Sequence, residues 1–266
     1  MTPGDPFNPY AEAHIDPKRT GDARPTAIQI IEDERLIGVM AGRVMLVTEM
    51  DILESSTGSG RLGIILMYLG SVSSVREGVK DFLTMADRLN VLVNNAGVRN
   101  TPEGRTTDGF ETQFGINHPS HFLLLQHPLL PLAPYAESKT ANILMANQIE
   151  RLHGASGIDG LSVHPGCIRT ELQRYDMRSE QARDQYLKAN PVLQKVLKDT
   201  MQGAATQVSA AVGKVWEDKG AVYLEDCRKG HENDEPDMLH GGYKSYVFVE
   251  EAQSKLRDLS CQLVDI

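Results

Sequence analysis

The 266-residue sequence is 41% hydrophobic and 24% charged, ordinary proportions for a folded globular chain, which excludes disordered and fibrous classes. Its 27 basic and 36 acidic side chains leave a net charge of −9 with no basic cluster. Nucleic acid and anionic membrane surfaces are therefore not expected as partners, and a small molecule is.

The N-terminus, Met1 to Pro6, lacks the basic-then-apolar run of a secretory leader. Residues 1–25, rich in proline and charge, read as an irregular arm, and residues 26–266 as a single domain, with no repeat or linker to divide it. A short amphipathic helix is expected from Thr26 to Ile37, then a buried parallel strand from Gly42 to Thr48. Arg61 to Leu69 reads as a second apolar strand, and Val72 to Leu89 as a helix capped by Ser71 or Ser73. The strand Leu89 to Gly97 ends in Asn94-Asn95-Ala96-Gly97, and polar or small residues at the carboxyl end of a parallel strand are where open α/β sheets hold ligands. Phe110 to Leu125 reads as a helix carrying Asn117, His118 and His121. The two histidines lie one turn apart, but no third ligand completes a metal site, and no metal is expected.

Further along, Leu161 to Gly166 is a short strand ending in a Pro-Gly turn that leads to Ile168 and Thr170. Tyr175 to Lys198 reads as a polar helix and Gln202 to Val212 as a small-residue helix suited to close packing. Gly220 to Leu224 is a last strand, His231 to Asp237 an acidic solvated loop, and Val249 to Leu263 a final helix. Cys167, Cys227 and Cys261 are too widely spaced for a disulfide framework or a zinc pattern. The longest apolar runs, Leu62 to Leu69 and Phe122 to Leu132, are too short to span a bilayer. A cytoplasmic chain follows, its oligomeric state left open, a homo-oligomer included.

Tyr135 and Lys139, four residues apart at the start of a helix-favouring run, fall on one helix face about one turn apart. A free phenol has a pKa near 10. It becomes a useful proton-transfer group at neutral pH when a neighbouring cation stabilises the phenolate, and a lysine one turn along can do this.

Asn94 to Gly97, Asn117, Tyr135-x-x-x-Lys139 and His164-Pro165-Gly166-x-x-x-Thr170, in that order among alternating strands and helices, resemble the short-chain dehydrogenase/reductase family. Gly21 to Ile31 and Gly220 to Cys227 are similar to filamentous-fungal members of its retinol-dehydrogenase-like branch. The resemblance implies a Rossmann-like doubly wound parallel sheet that binds NADP, or NAD, and moves a hydride to or from a small carbonyl or alcohol substrate. It makes Tyr135 the proton donor or acceptor, has Lys139 lower the Tyr135 pKa and bind the nicotinamide ribose, and has Asn117 support the proton-relay water. Asn94, Ala96 and Gly97 would line the cofactor cleft, and Ile168 and Thr170 would touch the carboxamide end.

The sheet reads as incomplete. Where the family has a glycine-rich phosphate turn, Thr48 is followed by Glu49 to Ser56, and too few residues separate Thr48 from Arg61 for a crossover helix and a second strand. Gly58-x-Gly-x-x-Gly63 precedes an apparent strand instead of following one, so it reads as a surface turn. Gln126 to Pro134 is too short for the family's serine-bearing strand, and neither Ser120 nor Ser138 replaces that serine. Tyr68 stands where the family has an aspartate near the adenine. A catalytically inactive relative, either a scaffold or a truncated gene product, is the alternative expectation.

Overall fold

Short runs of valine and leucine pair as parallel strands in each of two units, Gly42–Ala141 with Leu256–Ile266, and Met1–Ala41 with Asn142–Lys255. The computed structural model describes residues 5–39, 43–48, 63–125, 134–173, 180–234 and 241–263. The Glu49 to Ser56 stretch, all of the Gly58-x-Gly run but Gly63, and residues 126–133 lie outside the described residues.

In chain order, α1 (Ala11–Ile15) lies in the N-terminal arm. The next helix, α2 (Ala27–Asp33), begins at Thr26, whose hydroxyl accepts the Gln29 N–H at 3.3 Å. It stops short of Ile37, just before Arg35 enters the left-handed region at φ +58°. β1 is Met45–Val47. The apolar run expected as a strand to Leu69 forms none over residues 63–69. A strand exists only where a neighbour takes its backbone hydrogen bonds, and among the described residues β1 pairs with β2 (Val91–Val93) alone. Between them α3 (Val72–Met85) is capped by Ser71, whose Oγ accepts the Ser74 N–H at 3.4 Å. The expected helix from Phe110 to Leu125 is two helices, α4 (Thr112–Asn117) and α5 (Pro119–Leu125). Pro119 has no N–H to donate and disfavours helical backbone at His118, which adopts φ −124° and ψ −69°.

After α6 (Pro134–His153) and β3 (Leu161–His164), Asn190-Pro191 likewise divides the expected Tyr175 to Lys198 helix into α7 (Glu180–Ala189) and α8 (Pro191–Val196). α9 (Thr200–Gly203), α10 (Ala205–Val212), β4 (Val222–Glu225), β5 (Arg228–Lys229) and α11 (Glu250–Leu263) complete the order. The β4–β5 hairpin is not expected from the sequence, because its two turn residues, Asp226 and Cys227, hold φ of +51° and +55° without the usual glycine or asparagine.

In the unit containing β1 and β2, the strands pair in register from Met45 opposite Val91 to Val47 opposite Val93. Its core joins Val75 of α3 to Leu123 of α5, with Met67, Leu69 and Val72 against them. In the other unit β3 runs parallel to β4, Leu161 opposite Val222 and His164 opposite Glu225. There α10 presents small residues, so Ala205 packs on Ile30 of α2 and on Cys227. Arg24 is buried, and its guanidinium donates to the carbonyls of Lys195, Val196 and Leu197, satisfying the last carbonyls of α8. Among the described residues no helix is long and apolar enough to cross a membrane.

Candidate active site

The loop that leaves β2, residues 94–100, is held at three places by side chains from other elements. Thr48, just past β1, accepts the Asn95 and Ala96 N–H groups on its Oγ1 at 3.0 and 3.1 Å. Asn117, fully buried at the end of α4, accepts the Val98 N–H at 2.7 Å and donates to the Val98 carbonyl at 2.9 Å. Gln113, one turn earlier on the same helix, accepts the Asn100 N–H at 2.6 Å. Glu111 caps α4, its carboxylate oxygens accepting the Gln113 and Phe114 N–H groups, so the helix that carries both amides is itself fixed. Gln113 and Thr48 escape motif reading. The signal for Gln113 is its spacing, a second amide four residues before Asn117 on one helix face.

The same Asn117 reaches α6, where its Nδ2 also donates to Ser138 Oγ at 3.2 Å, and Ser138 in turn donates to the Tyr135 carbonyl at 2.7 Å. The first turn of α6 is thereby tied to the 94–100 loop. Lys139 Nζ lies 5.4 Å from the Tyr135 ring centroid, and Arg99 Cζ lies 5.6 Å from it. Gly97 packs against both Asn117 and Lys139. A Cβ there would lie 3.2 Å from Asn117 Oδ1 and 3.4 Å from Lys139 Nζ. Burial lowers the Lys139 pKa from its ordinary value. The structure thus gathers Asn94, Ala96, Gly97, Asn117, Tyr135 and Lys139 within one unit. Among them, Asn94 Oδ1 is buried with no hydrogen-bond donor from the described residues.

His121 bridges Thr48 and Asn117. Its Nδ1 lies 3.1 Å from the Asn117 carbonyl, which can only accept, so Nδ1 carries the proton and Nε2 accepts the Thr48 hydroxyl proton at 2.8 Å. The ring is neutral, and burial, opposed by the Asn117 carbonyl and aided by the Lys139 and His118 charges, lowers its pKa from 6.5 to about 4. His118 packs between Phe114 and Phe122, at centroid distances of 5.5 and 5.9 Å. Among the described residues no group of three or more His, Cys, Asp or Glu is placed to hold a metal.

Acid sensitivity follows. The unfolded chain protonates its imidazole near pH 6.5 and the folded one only near 4, so stability present above pH 6.5 is lost as pH falls through that window. The shift corresponds to about 3 kcal/mol as an upper figure. His14, buried beside Asp226 and lowered to about 4 by burial, adds a loss of the same sign. Urea midpoints measured from pH 7 to 4 should fall steadily, and less steeply in His121→Gln, which can keep both hydrogen bonds without titrating. An equal slope in the variant would remove His121 from the account.

Ile168 and Thr170 belong to the other unit. Beyond the Pro165-Gly166 turn, Ile168 forms a parallel bridge with Lys198 and packs so close to Gly203 that a Cβ there would meet Ile168 Cδ1 at 2.3 Å. The Ile168 carbonyl accepts from Gln173 Nε2 at 2.8 Å, and Thr170 Oγ1 accepts the Leu172 N–H at 3.3 Å. Lys198 Nζ bonds the Pro165 carbonyl at 3.2 Å and Asp226 at 2.7 Å, which anchors the turn.

Parallel strands joined through helices, with a polar loop at the carboxyl end of β2, define a Rossmann-like α/β protein whose sheet is incomplete among the described residues. The fold is that of the 3-oxoacyl-[acyl-carrier protein] reductase from Brucella melitensis, solved in complex with NAD. The TM-score is 0.53 at 17% identity, covering 79% of this chain and 95% of that one. The chain is 34% identical over 326 residues to the short-chain dehydrogenase/reductase prx1 of Penicillium roqueforti, covering 97% of this chain and 95% of that protein. It is 28% identical over 214 residues to retinol dehydrogenase 12 of Mus musculus, covering 66% and 65%. No protein-family model matches. At the similarity to prx1, the chain belongs to the short-chain dehydrogenase/reductase family of oxidoreductases. An alignment of 326 positions against 266 residues leaves several tens of positions in prx1 with no counterpart here.

Proposed function

We propose that this chain is an oxidoreductase that moves a hydride between NADP(H), with NAD as the alternative cofactor, and a small ketone or secondary alcohol in fungal secondary metabolism. Composition and cysteine usage favour the cytoplasm. The observation that carries the reading is the placement of Lys139, whose Nζ lies 5.4 Å from the Tyr135 ring and beside the bare backbone of Gly97. The Lys139 ammonium packed against the Gly97 backbone, together with a buried acceptor on Asn94 that no described residue pairs, fits the nicotinamide-ribose end of such a cofactor. When bound, the cofactor supplies or takes the hydride.

In this reading Tyr135 gives its phenolic proton to the substrate oxygen in reduction and takes one in oxidation. The Lys139 ammonium stabilises the phenolate and holds the ribose. Asn117, its amide taken up by Val98 and Ser138, supports the proton relay by fixing the loop and the first turn of α6 together. Asn94, Ala96 and Gly97 line the cofactor. The test is turnover of a carbonyl and alcohol panel by purified protein with NADPH, NADP, NADH and NAD. Reduction with NADPH is expected, and absence of both turnover and dinucleotide binding would overturn the reading.

The length difference from prx1 favours one second reading, a catalytically inactive relative that binds a protein partner or is the product of a shortened gene. Calorimetry showing tight association with a protein partner and none with a dinucleotide supports the scaffold form. A transcript that restores a glycine turn and a serine strand supports the shortened gene.

A further inference from the structure

We propose that Arg99 supplies the hydrogen-bond donor that polarises the substrate carbonyl beside Tyr135. This role rests on the reductase reading above. The two serine hydroxyls nearest in sequence to Tyr135 are already committed. Ser138 donates its proton to the Tyr135 carbonyl, and Ser120, buried, has the carbonyls of Leu69 and Gly115 within reach as acceptors for its one proton. A hydroxyl has one proton to give, so neither can also donate to a substrate.

Arg99 has the chemistry and the placement. Arg99 is half-buried, and its guanidinium carbon lies 5.6 Å from the Tyr135 ring centroid, which brings N–H donors and a positive charge to the Tyr135 ring. Its backbone is fixed from both sides. Val98 before it has both its N–H and its carbonyl held by Asn117, at 2.7 and 2.9 Å. Asn100 after it has its N–H held by Gln113 at 2.6 Å and sits at φ +49°, a left-handed conformation that asparagine tolerates better than most residues. The two amides that fix this segment come from one capped helix. With its main chain held in advance, Arg99 has only side-chain freedom to lose when it binds an oxyanion.

The step balances without consuming Arg99. The carbonyl carbon gains a hydride from a reduced nicotinamide, the π pair moves to the oxygen, and that oxygen takes the Tyr135 proton to give the alcohol. Solvent returns a proton to the phenolate. Arg99 makes one hydrogen bond to the carbonyl oxygen, strengthens it as negative charge develops there, and releases it from the alcohol.

A readout free of turnover tests this. 4-(Dimethylamino)cinnamaldehyde absorbs at longer wavelength when its carbonyl oxygen accepts a strong hydrogen bond or meets a cation. Added to the full chain without cofactor, it is expected to shift to the red, with the shift lost in Arg99→Met, largely kept in Arg99→Lys, and recovered in Arg99→Ala on adding guanidinium ion. With cofactor, Arg99→Met should lower kcat/KM by roughly 10²- to 10³-fold, the usual effect of losing one oxyanion donor, and leave NADPH affinity unchanged. A wild-type protein that gives no red shift, or a shift that persists in Arg99→Met, overturns the assignment. So does an Arg99→Lys protein that melts like wild type but shows none of the shift. If wild type shifts the aldehyde through Arg99 yet binds no dinucleotide, the reductase reading fails while the donor assignment stands.

Discussion

Tyr135→Phe is expected to reduce turnover by roughly 10²- to 10⁴-fold while leaving dinucleotide affinity nearly unchanged. The substitution removes one oxygen and leaves in place the hydrogen bonds through Asn117, Ser138 and the Tyr135 main chain that tie the loop to α6. The phenylalanine ring keeps its place beside Lys139 and Arg99. A loss confined to kcat identifies the phenol as the group that moves the proton. A Tyr135→Phe protein with wild-type turnover would show that the reduction takes its proton elsewhere, and an equal loss in cofactor binding would make the ring a structural support.

Asn117→Leu should be the most damaging substitution to the fold around the site. It removes an acceptor for the Val98 N–H and donors for the Val98 carbonyl and Ser138, each in a buried setting. An unsatisfied buried polar group costs about 1–3 kcal/mol, so the total is on the order of 3 kcal/mol or more. Ser138→Ala, which removes the Asn117 link to α6 and a donor to the Tyr135 carbonyl but leaves the Val98 clamp, should cost less, about 1 kcal/mol. Urea unfolding gives both numbers, and hydrogen exchange at the Val98 and Asn100 amides shows whether the loop has loosened. If Asn117→Leu costs no more than Ser138→Ala and those amides stay protected, the clamp at Val98 does not hold the loop.

The residues whose chemistry has a local signature are legible in the sequence. Tyr135 and Lys139 share a helix face by spacing alone, and Asn94 to Gly97 mark the end of a strand that does form. The residues that hold them are not legible there, because Thr48 reaches His121 and the Asn95 and Ala96 amides across long stretches of chain that no periodicity links. The two divided helices do have local causes. Pro119 and Pro191 are visible in the sequence, and each breaks a helix where a missing N–H and a crowded preceding residue require it. The apolar run before Leu69 misleads for a different reason. Hydrophobicity can mark residues fit for a strand, but only a neighbouring strand makes them one, and β1 offers its described pairing to β2.

Titration of the purified chain with NADPH, in parallel with Tyr135→Phe, tests the central claim most directly. Saturable binding by both proteins, with alcohol formed only by the wild type, is the predicted result. No binding of NADPH, NADP, NADH or NAD by a folded wild-type chain would contradict it.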